Sequence, residues 1–393
     1  MLSSGKSERD ETVKEFNILS LSNSTWTYPY WTSRQFLTYE LAKHARVIYA
    51  TAREDLREVV GRLRLGTNSR DQAPFPPPLG LELLSSKWPR TYRFTRADQS
   101  LAWAYTRRLQ RCFDRHCTNN IQRVLYIWDP GFLDTIKRLS YDILVYHPYD
   151  MFREFVTSGD EIAQREEEIC RLADAVITPH RRVADTLGHA NSHIVNNGVF
   201  LPAFPSRQSI EIPYILRDIG RPLIGYVGAI NNKVDFGLLL HVFSARPEWR
   251  LVLVGFEGPG SWKESSAYRD LRALPNVRFL GPLPIQRVAA VMAGLDVGVI
   301  PYSLSGWARY SESPLKLYQY WAMGVPVVCT PLPNLEPVPG ALEIGRTPED
   351  WATGIEAQLA RIDPNLHLSL RRRAKEFDWG VKARQVIEIL CTI

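Results

Sequence analysis

The 393-residue chain has little cysteine: Cys112, Cys117, Cys170, Cys329 and Cys391 are odd in number and scattered. A disulfide framework is therefore not expected, and the thiols point to a reducing cytosol. Cys112 and Cys117 flank Arg115-His116, but no second ligand pair follows at zinc spacing, so no metal site is expected there. No apolar run approaches the roughly 20 residues that span a bilayer, and the opening MLSSGKSERDET is too polar for a signal peptide, so a soluble or peripheral protein is expected. There is no Asp-x-Asp pair, which fits chemistry without a bound metal. Nor is there a recognisable nucleic-acid-binding motif, and no nucleic-acid partner is expected.

What is present is a globular composition, 45% hydrophobic and 23% charged, long enough for two domains with separate cores. The net charge of +6 is modest but unevenly placed. Between Arg34 and Arg115 there are 16 Lys and Arg against 8 Asp and Glu, a local +8. Such a stretch suits an anionic membrane surface or an anionic substrate, helped by the interleaved Trp88-Pro-Arg-Thr-Tyr92-Arg-Phe94.

Strand-like apolar runs alternate with helical patterns along the chain. Glu15–Ser22, Arg46–Thr51, Arg123–Trp128, Asp142–Tyr146, Ala175–Thr178 and Ile194–Asn196 read as strands of a first series. From Glu54 to about Asp98 the pattern is irregular, broken by the proline-rich run at Pro74–Pro78. Phe200 to Gly220, with Pro202, Pro205 and Pro213, reads as a linker into a second series: Leu223–Val227, Arg250–Val254, Val277–Leu280 and Val297–Ile300. Two such series argue an α/β protein of two doubly wound, Rossmann-like domains facing a cleft, divided at 1–204 and 205–372, with a closing helix in 373–393.

The densest chemistry lies in Ser311–Thr330, SESPLKLYQYWAMGVPVVCT. Ser313 is placed to cap a helix with Pro314 as its first residue, Leu315–Met323 as its body and Gly324 as its stop, before a buried strand from Val325. Lys316 then falls in the first turn, where backbone N–H groups, the helix dipole and an ammonium converge on one point suited to a diphosphate. A plain helix-to-strand connection with a solvated lysine is the alternative. In the loop Asn23–Thr32, the aromatics Trp26, Tyr28, Tyr30 and Trp31 either touch a ligand or staple the loop to its domain. Asp150, ending Val145-Tyr-His147-Pro-Tyr-Asp150, is either a general base at the cleft edge or a cap for the next segment.

Ser313-Pro314-Leu315-Lys316-Leu-Tyr-Gln319-Tyr followed by Gly-Val-Pro-Val-Val resembles the donor-binding segment of nucleotide-sugar glycosyltransferases of the two-domain GT-B type. The resemblance implies that the helix start and Lys316 hold a diphosphate and Gln319 the ribose. Many retaining members of family 4 carry two glutamates eight residues apart, where this chain has Ser311 and Gln319; the spelling is closer to inverting glucuronosyltransferases of xanthan assembly. By the same resemblance Gly228, in Gly225-Tyr-Val-Gly228, lies near the donor phosphates with Lys233 beside it. Gly281 falls where the family places the nucleotide base, and Tyr302 joins the donor side. Asp150 corresponds to the base, with His147 as an alternative, and Trp26, Tyr28, Trp31 and Arg34 fall on the acceptor side. Phe377-Asp378-Trp379 and the helix after it resemble the terminal helix that crosses back to the first domain.

The implied enzyme is a metal-independent hexosyl- or glucuronosyltransferase. It uses a nucleotide sugar, UDP-linked, as substrate with no cofactor, and a saccharide or lipid-linked acceptor in polysaccharide assembly. Its expected place is the cytoplasm, peripherally at the inner face of the membrane, and its expected course is inversion. A retaining family 4-type transferase, a non-catalytic sugar-nucleotide-binding relative and an epimerase, which would consume donor without acceptor, are the other readings.

Overall fold

The computed structural model describes residues 14–52, 73–85, 96–115, 117–118, 120–154, 159–304 and 313–393. Trp88–Phe94, His116 and Ser311 lie outside them. In the first half, apolar runs form β1 (Glu15–Ser22), β2 (Arg46–Thr51), β3 (Leu81–Leu84), β4 (Ile121–Ile127), β5 (Ile143–Tyr146), β6 (Ala175–Thr178) and β7 (Ser192–Ile194). They pair in the order β3-β2-β1-β4-β5-β6-β7, every pair parallel. All four residues of β5 are buried, as expected where helices cover both faces of a sheet. The second half repeats the plan with β8 (Leu223–Val227), β9 (Arg250–Val254), β10 (Val277–Gly281), β11 (Val297–Ile300), β12 (Val327–Cys329) and β13 (Leu342–Ile344). Their order is β10-β9-β8-β11-β12-β13, again all parallel.

In each sheet the strand order reverses beside its first strand, between β1 and β4 and between β8 and β11. Loops leaving the carboxyl ends diverge there and leave a crevice. The terminal helix, Trp379–Thr392, capped by Asp378 through a 2.8 Å bond from the Gly380 N–H, returns to pack on the helix Ser33–Leu41 beside the first sheet. Its entry is stitched by two backbone bonds, Val199 N–H to Phe377 O at 2.8 Å and Trp379 N–H to Val199 O at 3.0 Å.

Three local expectations change. β3 lies inside the stretch read as irregular; it has four residues, with Leu81 and Leu84 buried and Leu83 exposed, too few to show a period beside the prolines. β13, at three residues, is missed for the same reason. The segment Phe200–Gly220 is packed at its start, where Phe200 and Phe204 are fully buried and the Phe200 ring lies 5.0 Å from both Tyr39 and Phe75. Finally, Ser313 does not cap the Lys316 helix. Pro314, at φ −68° and ψ 123°, takes the cap position of a helix running Leu315–Ala322, and the Ser313 hydroxyl sits 2.7 Å from that of Tyr318 instead.

Candidate active site

The carboxyl ends of the two sheets open onto one cleft of about 460 Å³. The second sheet supplies the turn after β8 (Val227 to Lys233), Gly255 and Phe256 after β9, Pro282 and Leu283 after β10, Tyr302 after β11, and the helix start Ser313–Lys316 with Gln319. Tyr320 explains how that helix is placed. Its hydroxyl donates to Gly225 O and accepts from the Val227 N–H, both at 2.8 Å, so the helix is pinned to β8. Lys316, one turn earlier, is thereby carried over the end of that strand.

The Lys316 Nζ donates to the hydroxyls of Tyr226 at 3.0 Å and Tyr302 at 2.8 Å, and lies 4.2 and 4.6 Å from their ring centroids. The lysine is 8% exposed. Burial, with the charge of Lys233 added, holds its pKa well below the ordinary 10.5. An anion entering the cleft would favour its charged form. Gly228, at φ +150°, makes room for the ammonium, since a β-carbon there would sit 2.8 Å from Nζ. One on Gly255 would sit 1.8 Å from Gly228 O, so the turns after β8 and β9 meet backbone to backbone.

The first sheet supplies the opposite wall: Tyr28, Tyr30, Trp31, Thr32, Ser33 and Arg34 after β1, Tyr149 and Asp150 after β5, and His180 after β6. Asp150 Oδ1 accepts from the Met151 N–H at 3.0 Å, and Oδ2 faces Lys233 Nζ at 3.9 Å. Burial lowers the pKa of Lys233, and Asp150 partly offsets that shift. The walls are also joined by Asn197 Nδ2 to Ser313 O at 2.9 Å and by the Ile285 N–H to Pro29 O at 3.2 Å.

Of the residues expected at a site, the cleft thus gathers Tyr28, Trp31, Arg34, Asp150, Gly228, Lys233, Tyr302, Ser313, Pro314, Leu315, Lys316 and Gln319. Three fall elsewhere. His147 is buried beneath the cleft, its Nδ1 2.6 Å from the Tyr126 hydroxyl and its ring stacked 4.6 Å from Trp128. Burial pushes its pKa down to about 3, which makes it a neutral core histidine. Trp26 is a staple, edge-on to Trp31 at 4.5 Å and to Tyr49 at 5.1 Å. Gly281 ends β10 at φ +72°, and its neighbours Pro282 and Leu283 face the cleft in its place.

Sequence reasoning missed His180. It is 7% exposed, it lines the cleft, and its Nδ1 has no hydrogen-bond partner. Burial and the nearby Lys233 draw its pKa down to about 4, so it is neutral over the physiological range. The available signal was its position just past the carboxyl end of a buried strand, as Asp150 also follows β5.

Two doubly wound sheets with a cationic helix start on one side of a shared cleft and a carboxylate on the other define a GT-B architecture. Residues 221–361 match the family model described as Glycosyl transferases group 1. The chain therefore carries a domain of that family in its second half and is a glycosyltransferase. It is 28% identical over 282 residues, 66% of this chain and 69% of the other, to the putative teichuronic acid biosynthesis glycosyltransferase TuaH of Bacillus subtilis. It is 27% identical over 195 residues, 44% of this chain and 42% of the other, to the D-inositol 3-phosphate glycosyltransferase of Corynebacterium kroppenstedtii. Among solved structures, sucrose-phosphate synthase from Thermosynechococcus elongatus superposes with a TM-score of 0.66 at 16% identity, over 96% of this chain and 99% of that one. Anabaena HepE in complex with UDP and glucose gives 0.64 at 15% identity, with the same coverage. At these identities the structures speak for the fold alone.

Proposed function

We propose that the protein transfers a hexosyl or glucuronosyl unit from a nucleoside-diphosphate sugar, UDP-linked, to a saccharide or lipid-linked acceptor in polysaccharide assembly. It does so with inversion and without a metal. The observation that carries this reading is the pairing of opposite chemistries across one cleft, with Lys316 and Lys233 on the second-sheet wall and Asp150 on the first. The donor diphosphate lies over the start of the Leu315–Ala322 helix, where Lys316, Lys233 and the helix dipole neutralise it. Gln319 bonds the ribose, and Gly228 lets the phosphates approach the backbone.

Asp150 takes the proton of the acceptor hydroxyl. That oxygen attacks the anomeric carbon from the side opposite the diphosphate, and the bond to the diphosphate breaks with its electron pair leaving on phosphate. Two amines stabilising the leaving group perform the task a divalent ion would otherwise perform. Tyr28, Trp31 and Arg34 form the acceptor side. The basic stretch from Arg34 to Arg115, with Trp103 exposed on the helix Arg96–Asp114, brings the enzyme to an anionic membrane face. Among the described residues no helix is long and apolar enough to cross a membrane.

Turnover of UDP-sugars with product anomers read by NMR tests the reading. An inverted product supports it; a retained one moves the chain to the retaining branch; donor consumed without acceptor makes it an epimerase.

A further inference from the structure

On the acceptor wall Arg34 stands in an unusual position for a guanidinium. It rises from the first turn of the Ser33–Leu41 helix and lines the cleft beside Asp150. Its plane lies 4.0 Å over the Tyr149 ring. Its Nη1 donates to Asn23 Oδ1 at 2.7 Å, while its Nε is buried with no partner. Among the described residues it has no ion pair. Asp129 is the carboxylate whose charge it feels, but Asn23 stands between the two, accepting from Arg34 and donating to Asp129 Oδ2 at 2.7 Å. Asp129 is further engaged by the Gly131 N–H at 2.7 Å. Asp150 faces Lys233.

Among the described residues the cleft therefore holds three cationic side chains against one carboxylate, and two of the cations, Lys316 and Lys233, stand on the donor wall. The third is oriented by a ring beneath it and an amide beside it, and it lines the cleft. A guanidinium without a counter-charge on a cleft wall matches a planar or tetrahedral oxyanion, to which the group can offer two parallel N–H donors. It gains little from a neutral hydroxyl, which leaves its charge uncompensated.

We propose that the acceptor is anionic, carrying a carboxylate or a phosphate near the hydroxyl that reacts, and that Arg34 binds this group. The proposal rests on the transferase reading above. It makes Arg34 a specificity-determining residue: neutral sugars of the same shape are rejected because they leave the guanidinium without its counter-charge. Tyr28 and Tyr30, whose rings meet edge-on at 5.4 Å, flank the same opening and offer hydroxyls to the rest of the acceptor.

The test is a titration of the full chain saturated with UDP, so that the donor cations are already occupied. Methyl glucuronoside, glucose 6-phosphate and methyl glucoside are compared by calorimetry. One of the two anionic sugars is expected to bind at least tenfold tighter than the neutral one, and which of them does so tells carboxylate from phosphate. Arg34→Gln is expected to erase that preference, while Arg34→Lys, which keeps charge but loses the fork, retains part of it. Thermal unfolding of both variants checks that they are folded. An anion preference that survives in Arg34→Gln, or its absence in the unaltered chain, overturns the proposal. UDP failing to bind at all breaks the transferase reading, whereas UDP binding without an anion preference breaks only this one.

Discussion

The two walls of the cleft are built by different means. On the second-sheet wall, position is dictated by packing. Tyr320 ties the helix to β8, Gly228 clears the space, and Tyr226 and Tyr302 hold Lys316, so the cation is fixed before any ligand arrives. On the first-sheet wall the lining comes from four strand-end loops, and its polar atoms are partly unspent: Arg34 Nε and His180 Nδ1 lack partners. A wall whose groups are satisfied internally suits one constant ligand part such as a diphosphate. A wall with open donors and acceptors is completed by its substrate.

Removing the proposed base from the open wall should have the largest effect. Asp150→Asn keeps the shape and the bond from the Met151 N–H but loses basicity, so turnover should fall roughly 100-fold or more while nucleotide binding survives. Steady-state rates beside UDP affinity by calorimetry decide it. A mild defect with a retained anomer would assign Asp150 to positioning and join the two walls in a retaining mechanism.

On the built wall, Lys316→Ala should weaken UDP binding by about 1.5–3 kcal/mol, the value of a charge-assisted hydrogen bond. Burial lowers the free lysine's pKa, and a bound diphosphate favours its charged form. Binding should therefore take up a proton at any pH between the free and bound pKa values, so affinity weakens as pH rises through that window. Calorimetry in buffers of different ionisation enthalpy reads the uptake directly. It should vanish in Lys316→Ala, and its persistence there would assign the proton to another group. Gly228→Ala should cost about 1–3 kcal/mol through its φ of +150°. It should also displace Lys316, weakening UDP binding with no functional group removed; unchanged affinity would show that the lysine has slack.

This difference between walls also governs what could be read in advance. Lys316, Gln319, Gly228 and Lys233 sit on one helix and one turn, so the helix-start pattern pointed to Lys316 and the family resemblance carried by these two short segments to the other three. Most strands were legible too, because a buried parallel strand writes itself as an uninterrupted apolar run, as in Ile143–Tyr146. The cap at Pro314 rather than Ser313 was not legible, because it depends on Tyr318 engaging the serine hydroxyl. The open wall was harder. Trp26 and Trp31 are both loop tryptophans, and only the fold decides that the first is enclosed by Trp31 and Tyr49 while the second also borders the cleft. His147 looked catalytic because it stands three residues from Asp150. Yet in an extended chain neighbours alternate faces, and its ring turns inward to Trp128.

The smallest effect expected concerns His180, and it separates a ligand contact from a structural one. A buried imidazole nitrogen without a partner costs the empty protein free energy, on the order of 1 kcal/mol, that a ligand hydrogen bond would recover. Substituting Leu removes the orphan atom and keeps most of the volume. His180→Leu should therefore leave the stability of the free protein unchanged or slightly raised, while lowering kcat/KM about tenfold at saturating partner substrate. Because burial and Lys233 hold the imidazole pKa near about 4, the ring is neutral throughout the working range. The defect should be flat between pH 6 and 9, roughly the span a solvent-exposed histidine would cross while losing its charge. Urea unfolding together with a pH–rate profile checks both halves. A variant that loses more than about 2 kcal/mol of stability with unaltered kcat/KM would make His180 part of the packing, as His147 is. A defect that deepens as pH falls toward 6 would mean that the imidazole is charged when substrate is bound, and that it meets the diphosphate rather than a sugar hydroxyl.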